Sequence, residues 1–219
     1  MFTDEAHYQL LSWLSPAFPV GAFAYSHGIE FAVQNGDITG AATLQQWLEG
    51  IVLHGSGRID ADLFTLAWRA EDKDALAHAV EIGHAFRGSS EMALESAMQG
   101  AAFRRTAGAV SPDLVDALPA KVAYAVAVGY AAGRIEAPLK SSLVAFLHAV
   151  AANLVSAAVR LIPLGQTDGQ IVTAQLRSTV IDAADLAMAR DPADIGGAAF
   201  RVDWTSVQHE TQYTRLFRS

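Results

Sequence analysis

The sequence predicts an all-α protein: a single-domain bundle of about eight to ten helices around one long, central apolar helix. Three observations lead there. Apolar residues recur at helical spacing between clear stop signals, while the Val/Ile/Thr alternation of sheets is nearly absent. The composition is rich in alanine, which costs least in a helix and lets backbones approach. Hydrophobic residues make up 52% of the 219 and charged residues only 17%, so a large core can be buried. No repeat, low-complexity linker or domain boundary stands out. Residues 1–219 are read as one domain with an interaction tail at about 200–219.

The elements follow in order. A first helix is expected from Asp4 to Leu14, stopped by Ser15-Pro16, and a short one over Gly28–Asn35, ended by the Asn35-Gly36 turn signal. Thr43-Leu44-Gln45-Gln46 fits a capping box for a helix to about Leu53. Helices over Asp60–Arg69, Asp72–Phe86 and Ser90–Thr106 follow, the last with Ser90 as N-cap. Pro119 suits the first position of a helix to Ala132, with Gly133 capping its end. Pro138 opens the long apolar helix, which stops before Pro163. Its core, Leu143–Val159, is shorter than the ~20 residues of a membrane span and carries His148, Asn153 and Ser156, so no membrane segment is expected. Thr167-Asp168-Gly169-Gln170 opens a helix to about Ala189. The segment after Gly196-Gly197 shows no clean period.

Several functions are excluded or weakened. A net charge of −8 argues against a nucleic-acid binder. No cysteine is present, which removes disulfides, thiolate metal sites and a cysteine nucleophile. The acidic start "MFTDEAHYQLL" does not read as a signal peptide, and a cytoplasmic protein is expected. No P-loop, G-x-S-x-G or H-E-x-x-H occurs, and no cofactor signature is found. Ser26-His27 is read as a helix cap beside an exposed histidine, since adjacent side chains diverge. Asp74, His78, Glu81 and His84 share one helix face, a pattern that suits nickel or zinc. The ordinary reading, a solvated polar face, is preferred, and no metal site is assigned. Arg104-Arg105 is read as a surface pair near a helix C-terminus.

Two segments remain, one near each end. "SPAFPVGAFAYSHGIE" (15–30) combines prolines, glycines, aromatics and one carboxylate; "HETQYTRLFRS" (209–219) mixes aromatics with arginines. Tyr, Trp, Phe and Arg are the anchor types of protein interfaces. In the first segment, Pro16 and Pro19 restrict the backbone, Gly21 and Gly28 permit tight turns, and Phe18, Phe23 and Tyr25 partly bury the loop. Glu30 is then held on a rigid shelf. With "NLVSAAVRLIPLGQTDGQ" (153–170), these blocks resemble the UreF family of urease accessory proteins, in the right order and over most of the chain. Ala24, His27 and Val207-Gln208 depart from the usual pattern.

The resemblance implies an all-helical, homodimeric, non-catalytic protein. Its expected partners are a UreD/UreH-type accessory protein, a UreG-type GTPase and apo-urease, into which nickel is loaded. The partner-binding residues it suggests are Pro19, Gly21, Phe23, Tyr25, Ser26, Gly28, Glu30, His209, Glu210, Tyr213, Arg215, Leu216, Phe217 and Arg218. The tail is expected to be weakly ordered until a partner binds it. The rival readings are a GTPase regulator with an arginine finger at Arg215, Arg218 or Arg105, and a hydrolase using Ser26 with a distant histidine.

Overall fold

The structure, a computed structural model, describes residues 3–219. Met1 and Phe2, the start of the segment read as no signal peptide, lie outside the described residues. Among the described residues there is no strand, and the chain forms α1 (Asp4–Trp13), α2 (Ile29–Gln34), α3 (Ala41–His54), α4 (Ser56–Trp68), α5 (Lys73–Ala85) and α6 (Ser90–Val110). It continues with α7 (Tyr124–Arg134), α8 (Leu139–Val159), α9 (Gln166–Gln175), α10 (Arg177–Ala189) and α11 (Phe200–His209). Only Leu176 separates α9 from α10, so the two form one interrupted element.

α8 is the spine. Its N-terminal half, through Leu143, Phe146 and Leu147, belongs to a core built with α1, α4, α6, α7 and α10. Its C-terminal half, through Ala151, Leu154 and Val155, belongs to a second cluster with α2, α3 and α9. Aromatic rings fix the first cluster: Phe64 lies 5.2 Å from Phe146, and Trp13 meets Phe103 edge-on at 5.5 Å. α4 and α7 run so close that a Cβ at Gly129 would collide with the Phe64 backbone, the close approach that a small-residue composition permits. The length argument against a membrane span does not survive. α8 has 21 residues, a mean hydropathy of 1.9 over its most apolar stretch, and is long and apolar enough to cross a bilayer. Yet ten of its residues are buried within the protein, against neighbouring helices.

Several predicted ends moved, each for a local reason. Thr43 is the third helical residue rather than the cap: its hydroxyl accepts the Gly40 N–H at 3.1 Å, so α3 starts at Ala41. Asp168 does the same for Gly165 at 2.9 Å, starting α9 at Gln166. Ser89, not Ser90, caps α6 by accepting the Met92 N–H. Pro119 does not open a helix; α7 begins only at Tyr124, because Leu118 and Val122 are buried in irregular chain. The tail segment is not without period: Phe200–His209 is a helix that buries Thr205, Ser206 and His209.

Candidate docking site at the joined chain ends

The structure brings the two end segments together. The N-terminus of α6 supplies the meeting point, because the first amides of a helix have no intrahelical acceptor and carry partial positive charge. The Glu210 carboxylate fills this place, accepting the Ser90 N–H at 2.8 Å, the Ser90 hydroxyl at 2.7 Å and the Glu91 N–H at 3.4 Å. The Ser90 hydroxyl bond leads the causes that hold the Glu210 carboxyl below its ordinary range; burial opposes it, and the two amides add to the lowering. Beside it, Ser89 and Ser206 share a hydrogen bond at 2.7 Å, tying α11 to α6.

Glu30, on α2, is the second anchor. It is buried, and its two oxygens accept the backbone N–H groups of Leu216 at 2.7 Å and Phe217 at 2.9 Å. His209, fully buried, stands between carboxylates: Nδ1 is 2.6 Å from Glu91 and Nε2 3.4 Å from Glu30. Arg215 donates to the other oxygen of Glu91 at 2.5 Å. Further in, Ser26 donates its hydroxyl to the Ser219 carbonyl at 2.5 Å and its N–H to the same oxygen at 2.8 Å, while the Arg218 N–H reaches the Ala24 carbonyl. The Ser219 hydroxyl donates to Glu95. Glu95 also pairs with His27 Nε2 at 2.9 Å and accepts from Gln99.

Gly28 makes this junction possible. Its φ is +74°, and an added Cβ would stand 2.7 Å from the Ser206 nitrogen. Gly21 also adopts positive φ, at +81°, but in open space. Arg160, the residue that ends α8, clamps the outer side: its guanidinium lies 3.6 Å from the Phe23 ring centre and 4.4 Å from that of Phe217, and donates to the Phe23 carbonyl.

The suggested residues therefore divide into two sets. Tyr25, Ser26, Gly28, Glu30, His209 and Phe217 are buried and build the junction, with Glu210 half-buried at its edge. Pro19, Gly21, Phe23, Tyr213, Arg215, Leu216 and Arg218 are exposed around it, Tyr213 completely. Three expectations are corrected. The tail is ordered on its own domain rather than loose, because buried Glu30 and Glu95 capture its amides and last hydroxyl and half-buried Glu91 captures Arg215. His27 is buried rather than exposed, because Glu95 pairs its ring. Phe23 is also more exposed than expected, at 65%.

The sequence reading missed Glu91, Glu95, Gln99 and Arg160. Glu91, Glu95 and Gln99 are spaced by four, one face of α6, a polar stripe that could have been noticed. Arg160 carries no such signal.

Burial works against a charge on the His27 ring, yet the field and hydrogen bond of Glu95, aided by Asp60, raise its pKa above the ordinary histidine value. A protonated imidazole donates from both nitrogens. When the ring is protonated, Ser56, 3.3 Å from Nδ1, accepts its hydrogen bond and is not activated. Ser26 has no imidazole partner, its hydroxyl being committed to Ser219, so the hydrolase reading finds no support here. Asp74, His78, Glu81 and His84 all lie exposed on α5, and no group of three metal-ligating side chains is placed to hold a metal ion among the described residues.

Comparison with known proteins settles the kinship. The UreF family model matches residues 38–177. The chain belongs to the UreF family. It is 47% identical to the "Urease accessory protein UreF" of Rhodopseudomonas palustris strain BisB5, over 97% of this chain and 90% of the relative. The same name is carried by relatives from Bradyrhizobium diazoefficiens, 48% identical over 98% and 92%, and from Bradyrhizobium sp. strain BTAi1, 49% identical over 98% and 92%. The family model covers the core helices α3 to α9, and the UreF relatives align over 97–98% of the chain, beyond the residues that the model matches.

Proposed function

We infer that this protein is a non-catalytic scaffold of urease maturation. It docks a UreD/UreH-type accessory protein through the joined ends and recruits a UreG-type GTPase, so that nickel is loaded into apo-urease. It acts as a homodimer in the cytoplasm, with no nucleic acid, membrane or cofactor involved. Membership of the UreF family supports the process; the observation that carries the docking role is the meeting of the two anchor-rich segments. Hot spots are rigid aromatic and arginine side chains with a supported base. Phe23 and Leu216 are exposed over a network of buried Glu30, Glu95 and His209 and half-buried Glu91, and Tyr213 and Arg218 stand beside them. The tail at 200–219 is thus an interaction element built on a folded base.

Co-expression with a UreD/UreH-type protein and a UreG-type GTPase tests this reading. Recovery of a ternary complex that activates apo-urease with nickel is expected. Failure of the first partner to co-purify contradicts it. One observation favours a second reading, GTPase stimulation by an arginine finger: the Arg218 guanidinium is exposed and makes no hydrogen bond or ion pair among the described residues, whereas Arg215 is engaged by Glu91. Arg105 is also exposed, but on α6. Unchanged GTP turnover by the partner in the complex removes this reading; a rise abolished by Arg218→Ala supports it.

A further inference from the structure

Beneath the Ser15–Phe23 segment, between it and α6 and α8, lies a cavity of about 480 Å³. That size falls within the ~300–1,000 Å³ typical of small-molecule sites. One side is apolar and aromatic, with Phe18, Val20, Phe146 and Leu154 on the wall.

The other side is polar, and its ionisable groups stand in pairs. His27 is paired with Glu95 at 2.9 Å, and Arg87 with Asp60 at 2.8 Å, all four lining the cavity. What remains unmatched on this wall includes several donors. Arg87 Nε and Nη2 are buried without a partner, in a side chain 6% exposed. The Tyr124 hydroxyl and the indole N–H of Trp13, a residue 4% exposed, make no hydrogen bond among the described residues. Unpaired donors call for an acceptor. A wall on which Arg87 and His27 each already face a carboxylate calls for a neutral one, since an anion would bring an uncompensated charge into a buried place.

We propose that this cavity binds a neutral small molecule with an apolar body and a carbonyl oxygen, such as a ketone, ester or amide. Its body fills the aromatic side, and its oxygen accepts from the donors around Tyr124, Trp13 and Arg87. The cavity shares Pro19, Gly21 and Phe23 with the docking face, but its test does not depend on any partner.

Three probes of similar shape separate the possibilities: acetophenone, ethylbenzene and benzoate, each titrated into the full-length protein. The readout is the Trp13 indole N–H resonance, assigned with Trp13→Phe. Acetophenone is expected to shift it saturably, and more tightly than either other probe. Tyr124→Phe keeps the ring packed on Phe103 and Phe146 and is expected to weaken acetophenone by about three- to tenfold, the worth of one hydrogen bond. Equal binding of ethylbenzene would show an apolar hole without polar recognition, and tighter benzoate an anion site; either overturns the proposal. So does the absence of any saturable shift, which means that water alone fills the cavity. Should Tyr124→Phe fold poorly, the ranking of the three probes on the unaltered protein still decides.

Discussion

Replacing Glu30 by glutamine should loosen the tail without unfolding the protein. The carboxylate holds two consecutive amides, those of Leu216 at 2.7 Å and Phe217 at 2.9 Å, inside a site only 9% exposed. Glutamine keeps the shape, but whichever way its amide turns, one of the two N–H groups faces another donor. A hydrogen bond to a charged group contributes about 1.5–3 kcal/mol and a neutral one about 0.5–1.5 kcal/mol. Losing one charged bond and weakening the other therefore costs about 2–4 kcal/mol, or roughly 30- to 1,000-fold in the ratio of open to closed tail. Amide hydrogen exchange reads that ratio directly. Exchange at Leu216 and Phe217 should accelerate by about thirtyfold or more, with core amides of α4 and α7 unchanged. Equal rates in the variant and the parent at both positions would refute the reasoning. So would uniform acceleration across the core, which would make Glu30 a general support of the fold.

Other perturbations test the same geometry. Gly28→Ala forces a side chain into positive φ and against the Ser206 backbone; a loss of at least about 2 kcal/mol is expected in urea unfolding, and a neutral effect would mean that α11 moves freely. His27 carries a raised pKa, so the folded state holds its proton more tightly than the unfolded one. Its stabilisation is complete below about pH 6.5 and fades as pH rises through the elevated folded value; His27→Gln should flatten that slope of the stability–pH curve. Glu210 has the opposite sign, with a carboxyl held low mainly by the Ser90 hydroxyl. Its contribution is present above about pH 4.5 and disappears as pH falls through the depressed value, a fall that Glu210→Gln should remove. Replacing His78 and His84 together by alanine, both exposed on α5, should shift stability by under about 0.5 kcal/mol and leave nickel affinity unchanged in calorimetry; lost nickel binding by a folded variant would restore the metal reading.

The fold was legible because helix chemistry is local. The periodicity of the apolar residues, Ser15-Pro16 and Asn35-Gly36 located α1, α2 and α8 to within a few residues. Where the sequence misled, a tertiary partner decided. Pro119 has the right chemistry for a helix start, but the demand to bury Leu118 and Val122 delayed α7 to Tyr124. Thr43 and Asp168 act from within the first turn, so the helices begin before the residues that cap them. The candidate site was half legible. Both end segments stood out by composition, yet nothing local says that Glu30 will meet an amide at Leu216, 186 residues away. The tail was expected to be loose because termini are loose by default. Its amides find the buried Glu30, its last hydroxyl finds Glu95 and its Arg215 finds Glu91, carboxylates that lie far away in the sequence.

The central claim, that the joined ends form the docking face, is tested most directly by the affinity for a UreD/UreH-type protein of a variant carrying Phe23→Ala and Tyr213→Ala. Both side chains are exposed, so the melting temperature should hardly move. The account predicts a loss of about 2 kcal/mol or more, roughly thirtyfold in Kd, while the His78/His84 alanine variant binds at full strength. Undiminished binding by the first variant, with the partner retained on the protein as before, would contradict the account.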